Sequence, residues 1–156
     1  MLTQVDKPRL VACDTMNFWI ESRRPELLEL LGRVDLITLN DGEARQLSER
    51  YNLLKAARWI MQRGPKLVII KKGEHGAFMF NEHSVFFAPA FPLEEVFDPT
   101  GAGDSFAGGF MGYLARTGDL SDGSLRRAVV YGSAMGSFAV EKFSIERLLE
   151  ITSADI

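Results

Sequence analysis

Thirteen residues dominate the chemistry this chain could perform: Asp98-Pro99-Thr100-Gly101-Ala102-Gly103-Asp104-Ser105-Phe106-Ala107-Gly108-Gly109-Phe110. A glycine-rich turn there runs into an apolar, helix-forming stretch. The first N–H groups of a helix have no partner inside it, and the helix dipole places positive potential at the same end. Backbone N–H groups around Gly101, Ala102 and Gly103 are therefore expected to form an anion site, with glycine leaving room for a phosphate to reach the backbone. Asp104 falls in the first turn. A carboxylate beside a bound phosphoryl group suits a general base that accepts a proton from an attacking hydroxyl. A favourable acidic residue near a helix N-terminus is the plainer reading of the same aspartate.

Two other nucleotide motifs fit the segment poorly. A P-loop requires glycine-lysine-serine/threonine, which this chain lacks. A dinucleotide fingerprint requires a third glycine where Phe106 stands, and it belongs after the first strand of the fold rather than this late. His75 and His83 do not read as a metal pair, being separated without a nearby cysteine.

These residues need a scaffold, and short apolar runs alternating with helical patterns supply one. Strands are expected at 9–13, 35–39 and 67–71. Helices are expected at 25–31, 41–50 (capped by Asn40 or Asp41) and 52–62. Strand and helix in alternation point to an α/β fold with a mostly parallel sheet. A hairpin is expected around Glu82-His83, another strand at 94–97, a long helix from the glycine loop to about Arg116, then helices at 125–140 and from Ile145. Phe86, Phe87, Phe91 and Phe97 are expected to build core near the hairpin, and Trp19 and Trp59 to be packing residues. Gly108, Gly109 and Gly112 lie inside a helix, where each costs about 1 kcal/mol relative to alanine. Close approach of another backbone is the expected reason.

Composition sets the outer limits. At 156 residues, with 46% hydrophobic and 25% charged residues, the chain is ordinary globular material of one domain's size. A net charge of −3 with no basic run gives no support to a nucleic-acid surface. No apolar run approaches a membrane span, and the first nine residues lack a signal-type stretch. The single cysteine, Cys13, forms no internal disulfide, so a reducing cytoplasm is the expected compartment.

Residues 98–110 resemble the C-terminal signature of the ribokinase/PfkB family of carbohydrate and nucleoside kinases, whose core is Asp-Thr-x-Gly-Ala-Gly-Asp; Pro99 departs from it. Asn40-Asp41-Gly42-Glu43 resembles the family's Asn-x-x-Glu, and residues 68–77 (VIIKKGEHGA) resemble its nucleotide-lining segment. The resemblance implies a ribokinase-like three-layer α/β/α fold over residues 1–156, lacking the N-terminal half and lid. It implies ATP-dependent phosphoryl transfer to a hydroxyl of a small carbohydrate or nucleoside. Asp104 would be the catalytic base, and Gly101, Ala102 and Gly103 the anion hole. Asn40 and Glu43 would act through Mg²⁺ and its waters, and Gly73 and Gly76 would admit the nucleotide to the backbone. Asp98 matches a position that in some members helps hold a monovalent cation such as K⁺, with carbonyls from residues 141–144. Two departures touch the nucleotide: Lys71 stands where threonine is frequent, able to reach a phosphate or to lie along the surface, and Ser133 stands where many members carry asparagine. Asp14 and Asn17 follow the first strand, in a region that faces phosphates or substrate in the family.

Because full-length members are about twice as long, the chain is expected to be a catalytic half, impaired alone. It would either await an N-terminal half or self-associate through exposed apolar surface. The alternative is a non-catalytic nucleotide-binding or assembly module that kept the loop as structure.

Overall fold

The computed structural model describes residues 4–152 and 155–156. The strands are β1 (Ala12–Asp14), β2 (Leu36–Asn40), β3 (Leu67–Lys71), β4 (Ala77–Phe80) and β5 (Val85–Ala88), and they form one five-stranded sheet in sequence order. The helices are α1 (Asn17–Ser22), α2 (Arg24–Leu31), α3 (Asp41–Ser48), α4 (Leu53–Met61), α5 (Ala102–Thr117), α6 (Asp122–Ala139) and α7 (Glu146–Glu150). The backbone divides into two compact units. One runs through Ile70 and includes Phe80–Val85; the other holds Lys71–Met79 and everything from Phe86 onward.

In the first unit, β1 pairs parallel to β2, with Ala12 opposite Leu36 and Asp14 opposite Thr38. Leu36, Ile37, Leu39, Val68, Ile69 and Ile70 are fully buried, as strands covered on both faces require. α3 begins with a complete capping box: the Glu43 N–H donates to Asn40 Oδ1, and the Asn40 N–H donates to Glu43 Oε2, both at 2.8 Å. α4 has the simpler cap, the Lys55 N–H donating to Asn52 Oδ1 at 3.1 Å. Ala56, Ala57 and Ile60 turn its apolar face inward. The short helix α1 is absent from the sequence expectation. Only its Ile20 is buried, so no apolar period announces it, and Phe18 and Trp19 remain exposed against the expectation for Trp19.

In the second unit, α5 and α6 pack closely through glycines. A Cβ on Gly109 would lie 2.6 Å from Met135 Cγ and 3.0 Å from the Tyr131 carbonyl oxygen. One on Gly132 would lie 2.8 Å from the Phe106 carbonyl oxygen, and one on Gly136 3.2 Å from that of Ala102. Phe106, Phe110, Leu114, Ala128, Val129 and Phe138 are buried. The expected close approach thus accounts for Gly109. Gly108 and Gly112 have nothing within 4 Å of a would-be Cβ and face outward.

Four other expectations shift. β1 starts three residues and ends one residue later than 9–13, and α6 starts at Asp122, where Ser121 caps it. Residues 94–97 are not a strand; the Phe97 and Asp98 N–H groups both donate to the Val140 carbonyl oxygen at the end of α6 (2.8 and 3.3 Å). Phe87, Phe91 and Phe97 are exposed rather than core, while Phe86 is half-buried. No described helix is long and apolar enough to cross a membrane.

Candidate active site

The glycine loop and its surroundings lie within the second unit. Gly101 is the N-cap of α5, at φ +80°, a conformation that residues with a Cβ rarely adopt. Nothing lies within 4 Å of its would-be Cβ, so the loop is open on that side. Ser105 donates its N–H to the Gly101 carbonyl oxygen at 2.8 Å, closing the first helical turn. The three amides expected to form an anion hole are not equivalent. The Ala102 N–H already donates to the Pro99 carbonyl oxygen over a long 3.3 Å, whereas the next two N–H groups precede any intrahelical acceptor. Asp104 occupies the first turn with an exposed carboxylate that makes no hydrogen bond or ion pair among the described residues.

Asp98 is a turn residue as well as a candidate ligand. The Thr100 N–H donates to its Oδ1 at 2.9 Å, and this bond, aided by the Thr100 hydroxyl, holds the carboxyl below the usual aspartate range. The 141–144 segment, expected to supply carbonyls for a monovalent cation, begins where Val140 ties Phe97 and Asp98 to the end of α6. Ser144 there adopts φ +55°.

The remaining predicted positions of this unit divide by cause. Gly76 is buried at φ +96°, and a Cβ would lie 2.1 Å from the Ala88 carbonyl oxygen, so passage of residues 88–90 alone requires glycine there. Gly73, by contrast, is exposed in the 3₁₀ turn Gly73–His75 with open space around it. Ser133 donates its hydroxyl to the Pro89 carbonyl oxygen at 3.2 Å, which fastens α6 to the segment after β5. Lys71 is half-buried at the end of β3, and its ammonium stands 3.0 Å from where a Cβ on Gly103 would be. That last juxtaposition is not legible along the chain, because nothing local links strand end to helix turn.

Asn40 and Glu43 belong to the first unit. Glu43 is only 6% exposed, and its backbone-bonded carboxylate is fixed in place by the capping box. The pair offers oxygen donors only, which suits Mg²⁺ held through its own waters rather than caged by protein. Among the described residues no group of three or more His, Cys, Asp and Glu gathers as a metal cage. Asp14 is exposed at the end of β1, and Asn17 opens α1. Cys13 is partly buried in β1; burial first, and Asp14 second, push its thiol up to about 12.

The pfkB family carbohydrate kinase profile matches residues 8–151. The chain is 38% identical over 102 residues to a cytidine kinase of Thermococcus kodakarensis, covering 64% of this chain and 36% of that protein. Among solved structures it resembles aminoimidazole riboside kinase from Salmonella enterica, complexed with aminoimidazole riboside and an ATP analog. That likeness has a TM-score of 0.78 at 28% identity, over 89% of this chain and 48% of the other. Fructokinase from Vibrio cholerae shares the fold at a TM-score of 0.79 and 20% identity, over 86% of this chain and 46% of the other. The chain therefore spans about a third of the curated relative's length and about half of each solved structure.

Proposed function

The chain belongs to the pfkB family of carbohydrate kinases, and from that premise we propose that it carries the phosphoryl-transfer half of an ATP-dependent sugar or nucleoside kinase. The observation that carries this reading is the exposed Asp104 carboxylate, one turn into a helix whose glycine N-cap is held open at φ +80°.

In the proposed reaction an acceptor hydroxyl attacks the γ-phosphorus of ATP. Its proton passes to the Asp104 carboxylate, the bond from the γ-phosphorus to the β,γ-bridging oxygen breaks, and ADP leaves with that oxygen. The N–H groups of the 101–103 loop donate to the oxygens on which charge accumulates. Because Gly101 holds the loop open, the Gly103 N–H is in place before ATP arrives, whereas the Ala102 N–H must give up its long bond to Pro99 to join it. Asn40 and Glu43 would hold Mg²⁺ through its waters, and their part would be to orient an ion that would supply neutralisation of phosphate charge. Gly73 leaves the turn after β3 bare for the nucleotide, and Gly76 keeps that turn's shape. Ser133 steadies the nucleotide side through Pro89, and Asp98 is the group available to a monovalent cation. The acceptor is a small carbohydrate or nucleoside, bound largely by residues beyond this chain, so the chain alone binds ATP–Mg²⁺ weakly and turns over slowly.

Asp104→Asn tests the reading. In the intact protein it should lower turnover by about 10²–10⁴-fold, the usual contribution of a general base, while ATP binding persists. Turnover that survives the substitution would refute Asp104 as the base, and ATP binding with no turnover before any substitution would instead favour a non-catalytic nucleotide-binding or assembly module.

A further inference from the structure

Lys71 enters the loop from a different part of the fold, where strand β3 ends. Its Nζ would be 3.0 Å, and its Cε 3.9 Å, from a Cβ on Gly103. The lysine's tip therefore fills the volume that any larger side chain at 103 would claim. Gly103 is glycine for two reasons at once: an open backbone N–H, and room for an ammonium against the first turn of α5.

The charge balance of the loop says what that ammonium is for. Residues 98–104 contribute two carboxylates, Asp98 and Asp104, and no cation. One of the three loop amides is engaged with Pro99. A phosphoryl group entering this loop adds further negative charge beside two carboxylates, and neutral N–H dipoles offset it only in part. Lys71 supplies a full positive charge at the same turn, on a stem long enough to follow the moving phosphorus.

We propose that Lys71 is a catalytic residue of the phosphoryl transfer, its ammonium donating to an oxygen of the γ-phosphoryl group as that group passes from ATP to the acceptor. This rests on the kinase reading above and adds to it a side-chain cation that works beside the loop amides. The ammonium remains protonated throughout and takes no part in bond making or breaking. It also offsets Asp104, so the base stays near the phosphoryl oxygens without repelling them.

The test pairs binding with turnover. Titration of the chain with the non-hydrolysable β,γ-imido analogue of ATP, with Mg²⁺, should show about tenfold weaker binding in Lys71→Met, the effect of deleting one charged hydrogen bond, and AMP binding within twofold of wild type. In the intact protein the same substitution should lower kcat about 10²-fold with KM for the acceptor unchanged, as removal of one oxyanion donor does. Lys71→Arg, which keeps the charge, should recover at least a third of the lost affinity. Lys71→Gln stands in for methionine if that variant does not fold. Analogue binding equal to wild type in both uncharged variants, or an equal loss for AMP, overturns the assignment of Lys71. Asp104→Asn separates the two levels. If it abolishes turnover while Lys71→Met does not, only the lysine proposal fails. If wild type binds no ATP analogue, or the intact protein shows no turnover before any substitution, the kinase reading fails and takes the lysine with it.

Discussion

Glycines on the α5–α6 pair should respond to alanine with opposite signs. None of Gly108, Gly112 and Gly132 has positive φ, so alanine is compatible with each backbone, and in a helix interior it should gain about 1 kcal/mol from reduced freedom of the unfolded chain. At Gly108 nothing opposes that gain, because no atom lies within 4 Å of the new methyl. At Gly132 the methyl would meet the Phe106 carbonyl oxygen at 2.8 Å and the Phe106 ring at 3.2 and 3.3 Å. Ordinary contact begins near 3.5 Å, so the helices must part by about 0.7 Å. Overpacking of that kind costs about 1–3 kcal/mol, against the 1 kcal/mol gained. Gly108→Ala should therefore raise Tm by about 2–4 °C, while Gly132→Ala should leave it unchanged or lower it by up to about 8 °C. Thermal unfolding followed by circular dichroism measures both. Equal rises in the two variants would refute the close approach of α6 to Phe106. A fall in Tm for Gly108→Ala would refute the open face of α5. Because Phe106 lies two residues beyond Asp104, Gly132→Ala should also weaken ATP binding, whereas Gly108→Ala should not.

Asn40→Ala removes the side-chain half of the α3 capping box and should cost about 1 kcal/mol, seen as a drop in Tm, while Asn40→Asp retains most of it; an unchanged melt for alanine would contradict the cap. Cys13, with its thiol pushed up to about 12 from 9.0, should be alkylated by iodoacetamide at pH 8 about thirty- to fiftyfold slower than free cysteine, because higher nucleophilicity recovers only part of the lost thiolate. Reaction at the free rate would refute its burial. Phe97, Phe143 and Leu149 are 70%, 61% and 77% exposed, so the isolated chain should self-associate at high concentration; a monodisperse monomer in light scattering would count against that.

How much of this was written in the sequence depended on range. Features decided by neighbours along the chain were legible: β3 at 67–71, the cap at Asn40, and the start of α5 at the glycine loop. Features decided by a distant partner were not. Residues 94–97 look like a strand, yet their segment meets the carbonyl of Val140 instead of a sheet neighbour. α1 carries too little buried surface to leave a periodic trace. Of the glycines in α5, only tertiary packing distinguishes Gly109, pressed against α6, from its outward-facing neighbours. In the candidate site, the placing of Asp104 in the first turn after the glycine loop was legible from local pattern, whereas the second reason for glycine at 103 resides in the tip of Lys71.

The capping box has a kinetic corollary. Glu43 closes the first turn of α3 with the same carboxylate that is a candidate to hold a cation, so ligation and local fraying are thermodynamically linked. A cation that leaves Oε2 on the Asn40 amide should slow proton exchange at Asn40 and Glu43. One that draws the carboxylate away should speed it. The two amides thus form a built-in reporter whose sign distinguishes a water-bridged ion from a directly bound one.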